Sequence, residues 1–174
     1  VAEWMVQRWL DAGLPEGVIN LVQGPRETAM ALAADENLDG LLFTGSSQAG
    51  RALHQTFGQW PQKMLALEMS GNNPLIVHTV SDLQAAAYHT IQSAFITAGQ
   101  RCTCARRLIL VKGPQTDRLI DEVLSMLNAV RMGYWDDPNQ PFAGTVISKA
   151  QGARLLQAQD DLISAGAEPI KPSQ

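Results

Sequence analysis

The sequence predicts an α/β fold built on a parallel sheet covered on both faces, and three observations carry that expectation. Short apolar runs suited to buried strands alternate with stretches of helical apolar spacing. Glycines and prolines stand at the changeovers. After the segment SGNNP (70–74) the alternation begins again, which makes that segment the expected boundary between two α/β units.

Taken in order, Trp4, Met5, Trp9 and Leu10 recur at helical spacing until GLPEG (13–17) breaks the helix. The apolar run GVINLVQG (17–24) between glycines reads as a buried strand, and Glu27 to Ala34 as a helix. LDGLLFTG (38–45) is a second strand, followed by a helix from Ser46 to Phe57 capped by Ser46 or Ser47. KMLALEM (63–69) is a third strand. Past the boundary, PLIVH (74–78) reads as a strand, Ser81 as the cap of a helix running to about Thr97, and RRLILV (106–111) as another strand. In the helix predicted over 114–130, Leu119, Val123, Leu124 and Leu127 share one face. A loop containing YWDDPNQP (134–141) leads to a last helix, Ser148 to about Ala165.

Composition narrows the function classes. The chain has 174 residues, 45% of them hydrophobic, with thirteen Lys+Arg against seventeen Asp+Glu and a net charge of -4. Neither a basic stripe nor an acidic tail is present, so nucleic acid and membrane surfaces are not expected partners. No apolar run approaches the ~18 residues of a membrane span. Two cysteines make no disulfide framework, and with no signal peptide in view a reducing cytoplasm is the expected compartment. The opening in mid-helix, and the stop at EPIKPSQ (168–174) where a strand should develop, suggest a piece of a longer enzyme.

Three stretches carry possible chemistry. In FTGSSQAG (43–50), Gly45 and Ser46 lie where a strand feeds a helix, a place whose free N–H groups suit a phosphate, and Gly50 permits tight packing one turn later. A capped helix start with no ligand is the competing reading. Glu68 ends an apolar strand, where burial would suit it as a general base for water; a glutamate that merely marks the strand's end is the alternative. AGQRCTCARR (98–107) holds both cysteines, Cys102 and Cys104, among Arg101, Arg106 and Arg107. A metal clip would need four ligands, and His54, His78 and His89 are scattered, so no metal site is expected. A buried inert thiol and an arginine-assisted thiolate both stay open, the second opposed by the negative end of the preceding helix.

In order and spacing, FTGSSQAG, LEMSGNNP and AGQRC resemble the three signature blocks of the aldehyde dehydrogenase superfamily, and the resemblance covers essentially the whole chain. It implies the end of a Rossmann-like cofactor domain over 1–67 and the first part of an α/β catalytic domain over 68–174. It further implies Cys102 as the nucleophile, Glu68 as the general base, and Gly45, Ser46 and Gly50 as the cofactor turn for NAD. LEMSGNNPLIV and QSAFITAGQRCTCARRL are most similar to the branch that oxidises N-succinyl-L-glutamate 5-semialdehyde in bacterial arginine catabolism. A dianionic aldehyde needs cationic anchors, and Arg101 beside the thiol is the first candidate. A surface arginine paired with a carboxylate is the alternative.

Two positions depart from the family pattern: Ser70 replaces the first of two glycines, and Thr97 stands where asparagine is frequent. By the same resemblance, the asparagine completing the oxyanion hole and the lysine that holds the adenosine ribose precede Val1. The glutamate that grips the nicotinamide ribose follows Gln174. The isolated chain is therefore expected to be inactive and self-associating, and the full-length parent to be a homo-oligomer. Three other outcomes stay open: a CoA-acylating relative, against which Glu68 counts; a noncatalytic scaffold; and a C-x-C redox module in which Cys102 and Cys104 close a strained disulfide.

Overall fold

The structure is a computed structural model that describes residues 1–171. It divides into two compact units, Val1–Ser70 and Gly71–Gln174, so the division falls within SGNNP.

In the first unit, helix α1 (Ala2–Asp11) ends where Gly13 takes a φ of +91°. Gly13 N–H donates to Leu10 O and Leu14 N–H to Trp9 O, the paired bonds that satisfy the last carbonyls of a helix closed by a left-handed glycine. Helix α2 (Arg26–Ala33), strand β1 (Gly40–Gly45), helix α3 (Ser47–Phe57) and strand β2 (Met64–Met69) follow. The strands pair in parallel, Gly40 opposite Met64 through Gly45 opposite Met69. Their alternation puts Leu41, Phe43, Leu65 and Leu67 against Ala33, Leu53 and Phe57 from the two helices. Burying Leu53 and Phe57 contributes about 1.5–3 kcal/mol each.

Two expectations for this unit fail. GVINLVQG is not a strand: Val18 and Val22 are 60% and 62% exposed, and no described strand lies beside them. A strand needs a neighbour to take its backbone hydrogen bonds. Here Val18 N–H donates instead to Pro15 O in a turn, and the Gln23 side chain reaches Glu3. Nor is the sheet covered on both faces, since Leu42 on the face opposite the core is 74% exposed.

The second unit starts with strand β3 (Asn73–Val77) and helix α4 (Leu83–Phe95), followed by a short 3-10 segment, Ile96–Gly99. Strand β4 (Ala105–Leu110) and helices α5 (Thr116–Ala129) and α6 (Lys149–Ser164) complete it. β3 and β4 pair in parallel with a register shift between Asn73 and Pro74. α4 packs on α5 and on β4, burying Ala87, Thr90, Ile91, Leu119 and Cys104. Ile76 is 65% exposed, so this sheet too has an uncovered face. Residues 167–171 form no strand; the rest of the strand expected at the C-terminal end lies outside the described residues. Among the described residues, no helix is long and apolar enough to cross a membrane.

The cap of α4 is Asp82, not Ser81. Asp82 adopts the extended backbone of a cap, and its Oδ1 accepts the Ala85 N–H at 3.0 Å. The helix also stops at Phe95, short of Thr97, because Thr97 and Ala98 take left-handed φ values of 54° and 55°. Asp82→Ala should lower stability by about 1 kcal/mol in urea titration and Ser81→Ala by much less; the reverse order would return the cap to Ser81.

Candidate active site

In the first unit, β1 runs through Gly45 directly into α3. Ser46 is the cap: its Oγ accepts the Ala49 N–H at 3.2 Å, and its carbonyl accepts the Gly50 N–H at 2.9 Å. The N–H groups of Ser47 and Gln48 then have no acceptor in the helix and lie at its positive end, an arrangement that suits an anion. Gly45 and Gly50 are there for space. A Cβ on Gly45 would come within 2.4 Å of the Phe43 ring, which packs on the core. One on Gly50 would come within 2.5 Å of Met69 Sδ, so α3 sits close on the end of β2.

Glu68 stands opposite Thr44 near the carboxyl end of β2. Leu65 and Leu67 point to the core, so Glu68 falls on the bare face, and it is exposed. The burial expected of it is therefore absent. Ser70, in place of a glycine, strains nothing: it does not take a positive φ, and its N–H donates to Gly45 O at 3.0 Å.

The cysteines belong to the second unit and differ sharply. Cys104 is 2% exposed, its Sγ directed at Ile96 O, 3.7 Å away. Cys102 is exposed, at the corner of a turn closed by the bond from Cys104 N–H to Arg101 O at 3.2 Å. Both thiols are free. Cys102 does not abut a helix end, because the chain reverses through Thr97, Ala98 and Gly99, all left-handed, before reaching it.

Around this turn the backbone carbonyls are tied back. Arg106 Nη2 donates to Gly99 O and Arg101 O, each at 3.3 Å. Asn73 Nδ2 donates to Cys102 O at 2.6 Å and Cys104 O at 3.2 Å. Gln100 Nε2 donates to Thr97 O and Thr145 O, while Gln100 Oε1 accepts the Ile147 N–H at 2.8 Å. Arg107 holds Asn72 O through Nε and Nη2. Arg106 and Arg107 are thus backbone clamps as well as sources of charge. The Arg101 side chain is exposed and has no partner among the described residues, so the expected alternative of a carboxylate pair is not what the structure shows. Cys102 N–H likewise donates to nothing among them.

Asn73, Gln100 and the clamp role of the two arginines were not legible from sequence. The one available signal was the proline after Asn73, which favours an extended backbone there and so an earlier strand start.

The chain thus carries a phosphate-suited turn, a strand-end glutamate and an exposed turn cysteine on parallel-stranded α/β units. The aldehyde dehydrogenase family model matches residues 1–173, and the chain belongs to that family. It is 53% identical over 97% of its length to an N-succinylglutamate 5-semialdehyde dehydrogenase of Chromobacterium violaceum, and spans 35% of that protein. Among solved structures, it matches an NAD-dependent aldehyde dehydrogenase from Sinorhizobium meliloti with a TM-score of 0.86 at 30% identity, covering 96% of this chain and 33% of that one. An NADP-dependent enzyme of E. coli matches with a TM-score of 0.85 at 30% identity, covering 96% and 34%. The chain therefore spans about a third of the length of the relatives it matches.

The contrast between the thiols has a direct readout. Iodoacetamide should modify Cys102 faster than Cys104 by about tenfold or more, since Cys104 needs local opening first. Peptide mapping that finds Cys104 labelled first would reverse the assignment.

Proposed function

We propose that this chain is the nucleophile-bearing part of an NAD-dependent dehydrogenase that oxidises N-succinyl-L-glutamate 5-semialdehyde to the acid, a step of arginine catabolism. The observation that carries this reading is Cys102 itself. It is an exposed thiol on a turn whose carbonyls are tied inward while its own N–H is left unpaired.

As thiolate, Cys102 attacks the aldehyde carbon and forms a thiohemiacetal. The free Cys102 N–H is a donor for the oxygen that becomes negative, and one such donor is worth ~3 kcal/mol in the transition state. A bound NAD would supply the hydride acceptor, and loss of hydride from the thiohemiacetal carbon would leave a thioester on Cys102. Glu68 takes a proton from the water that hydrolyses this thioester, releasing the acid and the free thiol. Its exposure keeps it within reach of water.

The cofactor fits the donors present: the Ser47 and Gln48 amides at the capped start of α3 would hold an anionic pyrophosphate. In this reading Gly45 through Gly50 lie in the cofactor domain, which runs to residue 67, and Cys102 lies in the catalytic domain that begins at Glu68. The unpartnered Arg101 next to Cys102 supports a substrate rich in carboxylates.

The test is a panel of aldehydes assayed with NAD and NADP on the full-length protein that carries this sequence. N-succinylglutamate 5-semialdehyde with NAD should give the highest kcat/KM. Glu68→Gln should keep the first burst of NADH and slow steady turnover. Arg101→Ala should raise KM for the dianionic aldehyde about tenfold and leave a neutral aldehyde unchanged. A preference for neutral aldehydes would overturn the substrate, and an unchanged steady rate in Glu68→Gln would remove the base.

A further inference from the structure

We propose that Asn73 is a positioning residue for the nucleophile, its amide setting the direction of Cys102 by gripping the carbonyls of the two residues on either side of Thr103. The inference rests on the reading of Cys102 as the nucleophile and adds a residue to it.

The geometry leaves the amide little choice. Its two partners, Cys102 O at 2.6 Å and Cys104 O at 3.2 Å, are both acceptors only. The group facing them must be the NH2, with one hydrogen for each carbonyl, so the orientation of the side chain is fixed by chemistry. The other end is anchored as firmly. Asn73 is half-buried, opens β3 opposite Ala105, and sits at the register shift before Pro74. Behind it, a Cβ on Gly71 would fall 2.8 Å from Asn73 Oδ1, so the glycine leaves room for this rotamer.

The turn needs such a grip. Thr97 is β-branched and left-handed, and Ala98 and Gly99 continue the same conformation, which persists only where surrounding bonds impose it. Arg106 and Gln100 hold the turn ahead of Cys102. Beyond Cys102, Asn73 is the side chain that takes its carbonyl. Fixing that carbonyl fixes ψ of Cys102, and hence where the Cα–Cβ bond and the free N–H point relative to the bound aldehyde. Asn72 O is held from the other direction by Arg107, so the segment that grips the turn is itself secured to β4.

Two variants separate hydrogen bonding from shape. Asn73→Asp keeps the outline and replaces the donor with an oxygen facing two carbonyls. Asn73→Ala removes the group without repulsion. In the full-length enzyme, with cofactor saturating, positioning by hydrogen bonding predicts kcat in the order wild type, then Asn73→Ala, then Asn73→Asp. The Ala variant should lose roughly ten- to a hundredfold, with KM within about twofold, and the initial NADH burst should slow in the same order. A residue that only fills space predicts Asn73→Asp close to wild type and Asn73→Ala worse, which would overturn the proposal. Wild-type kcat in both variants would also overturn it.

If either variant folds poorly in that enzyme, the 174-residue chain gives a second readout. Hydrogen exchange at the Cys104 amide, which donates to Arg101 O, and alkylation of Cys104 should both accelerate about tenfold or more in Asn73→Ala. Unchanged exchange and labelling would count against the grip. Cys102→Ala in the full-length enzyme separates the two ideas. Retained activity there refutes the nucleophile, whereas lost activity there beside normal kcat in both Asn73 variants refutes only the positioning.

Discussion

Carbonyl groups dictate the shape of the turn before β4. The irregular chain between α4 and β4 leaves carbonyls to side chains, Gln100 within it and Asn73 and Arg106 from the flanking strands β3 and β4. Asn73, Gln100 and Arg106 between them take the carbonyls of Thr97, Gly99, Arg101, Cys102 and Cys104. Cys104 completes the arrangement from beneath, buried with its thiol toward Ile96 O. Left-handed residues at Thr97 and Ala98 cost of order 1–3 kcal/mol each, and these bonds offset that strain. The outcome is asymmetric: carbonyls face into the protein, and the Cys102 thiol and N–H face out. Nucleophilic attack and oxyanion stabilisation both need that polarity.

The two units place their functional groups at opposite ends of their sheets. In the first, Gly45, Ser46 and Glu68 lie at the carboxyl ends of parallel strands, where ligands usually bind in open α/β sheets. In the second, Asn73 opens β3 and Cys102 precedes β4, so the proposed nucleophile is at the amino ends. A rule based on strand direction finds the glutamate and misses the cysteine. The bare sheet faces follow from the same economy of length. Each unit has two strands and few helices, and Leu42 and Ile76 are left uncovered among the described residues.

Much of this was legible in the sequence because local punctuation is strong. Ser46 and Ser148 cap the helices that follow them, and apolar spacing located α1 and α5. The failures share a cause, which is that the deciding partner is remote. GVINLVQG has strand composition, but composition supplies no neighbouring strand. Ser81 and Asp82 are both good caps, and only the backbone at Asp82 selects between them. Glu68 ends its strand as expected, yet its exposure depends on which face lacks a helix. At the site, the signature blocks marked Cys102, but Asn73 acts on residues some thirty positions away. A polar residue in a turn-like NNP segment gives no sign of that range.

In the proposed mechanism Cys102, and not its neighbour Cys104, carries the acyl group during turnover. Acid quenching of the full-length enzyme mixed with semialdehyde and NAD, followed by peptide mass analysis, tests this directly. An acyl adduct on Cys102 that accumulates further in Glu68→Gln is the predicted result. An adduct on Cys104, or turnover with no cysteine adduct in either protein, would contradict it.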